Sequence, residues 1–217
     1  MRKNAVGGVL IAMVVAGCAS MGPQSGPGFF VTSKGSGKGA NFGGLEGADQ
    51  HCAALAAAAG LPSRTWRAYV SNSPQGATPG VNARDRIGNG PWQNVKGDVI
   101  ARNVEELHGA NNLTKQTALT EKGAVVNGRG DTPNQHDILT GTQPNGMAFP
   151  ASAGDMTCGN WTKSAEGSAV VGHHDRTGLD TFPPALSWNS SHPTRGCSDD
   201  ALKSTGGAGY LYCFAAN

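Results

Sequence analysis

The sequence predicts an α+β domain with non-alternating element order, and three observations carry that expectation. An Ala-rich helical stretch lies early, at residues 48–59, and stops at Gly60. Short β-prone runs follow, mostly late, separated by long turn-rich chain. Four cysteines, Cys52, Cys158, Cys197 and Cys213, span the same region. With 33 glycines and only 6% aromatic residues, the core is expected to be modest and the loops long. A core that thin gains from covalent staples.

Taken in order, Phe29-Phe30-Val31-Thr32 is a short β-prone opening, and the Gly-rich residues 35–44 read as a loop. The helix over 48–59 carries Cys52, Leu55, Ala56 and Ala59 on one face, which aims the Cys52 thiol at the core. Residues 66–71 alternate, placing Trp66, Ala68 and Val70 on one side of a strand. Residues 72–135 are mostly turns, with a helical piece at 103–108 and a strand at 124–127. Further short strands are expected at 137–142, 158–162 and 209–214. No internal repeat is visible.

The N-terminus carries its own message. Met1-Arg2-Lys3 precedes an uncharged, mostly apolar run over residues 5–15 and then Ala16-Gly17-Cys18. A basic start, a short apolar core and small residues before a cut site form an export signal. The run is shorter than the ~20 residues a membrane-spanning helix needs. Val15-Ala16-Gly17-Cys18 resembles the bacterial lipobox, in which the Cys is acylated (palmitate among its chains) and becomes the mature N-terminus. Ala19 rather than Asp follows it, which by the lipoprotein sorting rule implies the outer membrane. The expected organisation is a signal peptide over 1–17, an acylated N-terminus and flexible tether over 18–28, and one domain over 29–217.

Charge narrows the partners. The chain has 17 Lys+Arg and 15 Asp+Glu, and losing Arg2 and Lys3 with the signal leaves 15 of each. No basic stripe remains, so nucleic acid is not an expected partner. The expected partners are the membrane, through the lipid anchor, and a glycan or protein ligand.

An even number of cysteines in an exported chain implies disulfides, with three pairings that spacing alone leaves open. The competing use, zinc, lacks any Cys-x-x-Cys pair.

Several segments together resemble the endostatin branch of the C-type-lectin-like superfamily. Gly47-Ala48-Asp49, leading to Cys52, is similar to that family's helix start and first cysteine. Thr65-Trp66-Arg67-Ala68-Tyr69-Val70-Ser71 is similar to its next strand, and Val81-Asn82 and Pro91-Trp92 to the segment after it. Pro144-Asn145-Gly146, Cys158-Gly159-Asn160-Trp161-Thr162, Gly196-Cys197 and Tyr212-Cys213-Phe214 follow in the same order. The resemblance covers roughly residues 29–217, with an apparent insertion near 98–123. It implies a C-type-lectin-like fold with nested bridges, Cys52–Cys213 outside and Cys158–Cys197 inside. The outer link would close a loop of about 160 residues, where a bridge restricts the unfolded chain most.

Two groups of residues are candidates for binding. Gln143-Pro144-Asn145 resembles the tripeptide with which calcium-dependent lectins hold both Ca²⁺ and sugar hydroxyls, and Trp188-Asn189 resembles the element before the third cysteine. Ser190 stands where that element has an Asp. A cis proline at Pro144 would aim both carbonyl groups at one point. Adding His136 and Asp137, the expected ligand-binding set is His136, Asp137, Gln143, Asn145, Trp188 and Asn189. The second group is metal-capable: Asp131, His173, His174 and Asp175, which with His192 form a candidate calcium or zinc site. Endostatin's own zinc is held mainly by histidines near its mature N-terminus. No His lies between Cys18 and His51, so that site is not carried over.

No nucleophile elbow, phosphate loop, dinucleotide fingerprint or His-Glu-x-x-His helix occurs. The expected function is therefore not catalysis but binding, by an envelope-anchored lectin-like module that works through its long loops. The alternatives are a metal-dependent enzyme using the His/Asp cluster and a structural envelope lipoprotein.

Overall fold

The last strand organises the molecule. In the computed structural model, which describes Met1 and residues 26–217, β8 (Gly207–Ala215) pairs with three others. Antiparallel to it run β1 (Phe29–Val31) and β2 (Trp66–Ala68), while β5 (Asp137–Leu139) runs parallel. The sheet continues through β6 (Val170–His173) to β7 (His192–Pro193), both antiparallel steps. The result is a mixed six-stranded sheet. A separate hairpin joins β3 (Trp92–Gln93) to β4 (Val99–Ala101).

Successive residues of a strand face opposite sides, and here both sides are dry. Leu211, Cys213 and Ala215 join Phe30, Trp66, Ala68, Val70, Leu139 and Val171 in one buried cluster. Tyr212 and Phe214 join Phe29, Val31, Tyr69, Ile138, Trp92 and Trp188 in the other. Helix α1 (Gly44–Ala58) covers the first face through Ala48, Cys52, Leu55 and Ala56. The β3–β4 hairpin and irregular chain cover the second, packed on aromatic contacts such as Phe29–Phe214 at 4.9 Å and Tyr69–Trp188 at 4.8 Å.

Asp49 docks the helix. Buried on α1, its carboxylate meets Arg67 and Arg86 at 2.6 Å each and accepts the Ala68 N–H at 2.9 Å. The shorter helices are α2 (Val104–Leu107), capped by the Asn103 side chain on Glu106 N–H, and α4 (Asp199–Lys203), capped by Ser198. No helix among the described residues is long and apolar enough to cross a membrane.

Both disulfides join the pairs that the resemblance implies. Cys52–Cys213 ties α1 to β8 across 161 residues, and Cys158–Cys197 closes a loop of 39. Two such bridges suggest an oxidising, extracytoplasmic setting. The signal peptide, Cys18 and most of the tether lie outside the described residues.

Two expected strands fold differently. Residues 158–162 were expected extended, but α3 (Cys158–Trp161) is a single turn in which all four residues have positive φ. A left-handed turn costs roughly 1–2 kcal/mol per non-Gly residue, so tertiary contacts must hold it. They do: Cys158 is bridged, the Trp161 indole N–H donates to Ser71 O, and the Asn160 amide both accepts from Ser73 N–H and donates to Ser73 O. The strand expected at 124–127 is reduced to one bridge between Leu119 and Val125.

Candidate functional site

Three neighbouring strands converge their polar side chains at one end of the sheet. Asp137 opens β5, His173 closes β6 directly opposite it, and His192 opens β7 opposite Val171. Residues 171 and 173 share a face by the two-residue period, so His192 falls on the side of His173 and Asp137. His136 adds a fourth group from just before β5.

Their geometry is tight. Oδ1 of Asp137 lies 3.2 Å from Nε2 of His136, 3.3 Å from Nε2 of His173 and 3.5 Å from Nε2 of His192. The rings of His136 and His173 stack with centroids 4.2 Å apart. Asp137 is 2% exposed, and neither of its carboxylate oxygens has a hydrogen-bond donor. Burial opposes ionisation of Asp137, yet the imidazoles of His173, His192 and His136 hold its carboxyl below the usual carboxylate range. Reciprocally, Asp137 raises the His192 imidazole.

The outward nitrogens are held as well. Nδ1 of His136 lies 3.3 Å from Oδ1 of Asp175, Nδ1 of His173 2.7 Å from the Ala185 carbonyl, and Nδ1 of His192 3.1 Å from the Pro193 carbonyl. Asp175 is steadied by the N–H groups of Arg129 and Thr177. Despite partial burial, His136 and these backbone donors keep its carboxyl far below the ordinary range.

The chain between β6 and β7 roofs a cavity of about 320 Å³ over these imidazoles. His136, His173, His192 and Ser191 form part of its polar lining, while Leu179, Phe182 and Pro184 line it with carbon. Leu179 and Phe182 are 87% and 72% exposed, unusual for side chains of that size. The roof lies close over β6: a Cβ on Gly172 would sit 1.8 Å from the Trp188 carbonyl oxygen, so only glycine fits there.

The structure divides the residues singled out from sequence. His136, Asp137 and His173 come together, with His192 completing the group and Asp175 behind His136. His174 does not join them; in the turn just after β6, it points elsewhere, its Nε2 at 3.1 Å from the Asn127 carbonyl. Asp131 pairs instead with Lys115 and accepts the Gly128 N–H.

Gln143 and Asn145 belong to a tight turn closed by Gly146 N–H to Gln143 O at 2.9 Å. Among the described residues the cis peptide bonds precede Pro91 and Pro133, so the cis geometry expected at Pro144 is not adopted. The Gln143 amide donates to Ala148 O, and the Asn145 side-chain Oδ1 accepts Met147 N–H. Asn189 is 1% exposed, its amide spent on Tyr69 Oη and the Pro144 carbonyl. Trp188 is 4% exposed and packs in the second core against Tyr69 and Tyr212.

Leu179 and Phe182 were missed as site residues. The available signal was two large apolar side chains inside the polar, turn-forming run Gly178-Leu179-Asp180-Thr181-Phe182-Pro183. In comparisons with known proteins, neither any family model nor any curated protein matches this chain.

Proposed function

We propose that the chain is an envelope-displayed binding module of the C-type-lectin-like superfamily, in its endostatin-like branch, anchored through acylated Cys18. Its ligand, a glycan or a protein, enters the cavity beneath the loop between β6 and β7. The observation that carries this reading is the exposed Leu179 and Phe182 over a floor of imidazoles and Ser191. An aromatic face beside hydrogen-bonding groups suits a sugar ring, which is apolar on its faces and polar at its edge. The nested disulfides and the helix tied to the terminal strand support the family reading.

Phe182→Ala should abolish or sharply weaken binding to a ligand found on a glycan array, with the melting temperature shifting by only a degree or two. Asn189→Ala should lower the melting temperature through its buried network. If Phe182→Ala and Leu179→Ala both bind as well as wild type, the cavity is not the ligand site.

A second reading, a metal-dependent enzyme, is favoured by the imidazole and carboxylate floor of the same cavity. Product formation from a bound ligand separates it from binding alone.

The anchor has its own test. Cys18→Ser should move the protein from the membrane fraction to the soluble fraction of cells, and an intact mass with unmodified Cys18 would end the idea.

A further inference from the structure

We propose that His136, Asp137 and His173 form a site for one divalent transition-metal ion of the zinc class, with His192, 3.5 Å from Asp137, as the fourth ligand. The inference goes beyond ligand binding in the cavity and stands whether or not a glycan enters it.

Three features point the same way. The first is spacing. A tetrahedral ion about 2.0–2.1 Å from each ligand sets ligand atoms about 3.3–3.4 Å apart. The imidazole nitrogens lie 3.2, 3.3 and 3.5 Å from Oδ1 of Asp137.

The second is hydrogen-bond polarity. Each histidine has an oxygen acceptor at Nδ1: Asp175 for His136, Ala185 O for His173 and Pro193 O for His192. A neutral imidazole has one N–H and one lone pair, so an Nδ1–H given to that acceptor leaves the Nε2 lone pair facing Asp137. With a cation, each Nδ1–H serves its outer acceptor and each Nε2 lone pair serves the ion. That outer shell, a carboxylate and two backbone carbonyls, is the arrangement that orients metal-bound histidines.

The third is an unpaired buried acid. Asp137 has no donor for either oxygen, and Nε2 of His173 has no partner. Burying a carboxylate in that state is costly unless a cation meets it. Charge closes too: a dication balances the carboxylates of Asp137 and Asp175.

The donor set selects the ion. Three imidazoles with one carboxylate suit zinc and its neighbours, while calcium and magnesium take oxygen ligands. Gln143 and Asn145, the lectin-type calcium pair, lie in a turn outside this cluster.

The test uses the disulfide-intact protein stripped with EDTA, then dialysed against micromolar Zn²⁺. We expect one zinc per chain retained after desalting, a higher melting temperature with zinc than without, and, with Co²⁺ as a probe, the strong visible absorption of a four-coordinate ion. His192→Ala, at the half-exposed ligand, should keep the fold and weaken zinc binding at least tenfold. Asp175→Asn should weaken it about 10–100-fold through His136. A folded wild type that takes up no zinc under these conditions overturns the site. So does uptake that is unchanged in a His173→Gln/His192→Gln double variant with intact disulfides.

Discussion

Replacing Cys52 and Cys213 together with serine should lower the unfolding free energy by about 5 kcal/mol in the chain-entropy model. The bridge spans 161 residues and ties α1 to β8, the strand to which β1, β2 and β5 all pair. Without it, the unfolded chain regains the freedom of almost the whole domain. The same treatment of Cys158 and Cys197, separated by 39 residues, should cost about 4 kcal/mol, because loop entropy grows only with the logarithm of length. Urea unfolding of the two double variants measures both. A larger loss for the inner pair would show that it acts mainly by holding the left-handed turn at 158–161, not through chain entropy.

Asp49→Ala should cost about 3–5 kcal/mol, the range for breaking a buried ion pair by removing one partner. Most of the loss falls on Arg86, whose side chain is 13% exposed, and on the Ala68 N–H; Arg67 is 42% exposed and can turn to water. The mechanism has a signature. Adding Arg86→Met to Asp49→Ala should recover part of the loss, since the stranded charge is then gone. Thermal or urea unfolding of the single and double variants decides it. A loss below about 1 kcal/mol for Asp49→Ala would mean that the carboxylate is dispensable for docking α1.

Local pattern was enough for the elements whose signals are local. The helix was legible because Cys52, Leu55 and Ala56 recur at helical spacing; it starts at Gly44 instead of residue 48 and ends at Ala58, with Ala59 as its half-buried cap. The face shared by Trp66, Ala68 and Val70 was legible from alternation alone, and all three lie in one cluster. The turn at 158–161 was not. Its Trp161 and the Thr162 that follows are β-formers, and positive φ at Asn160 and Trp161 is sustained by Ser71 and Ser73, almost ninety residues away.

The candidate site was half legible for the same reason. His136, Asp137, His173 and Asp175 stand out as side chains of metal-binding type, but type says nothing of direction. His173 ends β6 and reaches Asp137, whereas the chain turns at His174, whose ring goes to the Asn127 carbonyl instead. Trp188 and Asn189 carried a lectin-like pattern, yet their burial follows from the chain crossing over Gly172, a contact between segments with no local mark.

From sequence alone came the α+β class, the helix and its buried face, the cysteine count, and the inventory of polar loop residues, since composition and short-range periodicity determine these. Tertiary structure alone decided how strands from three separate regions assemble on β8, and which histidines surround Asp137. Strand register sets both, and register is chosen by the packing of two buried sheet faces at once, a condition that couples residues more than a hundred positions apart.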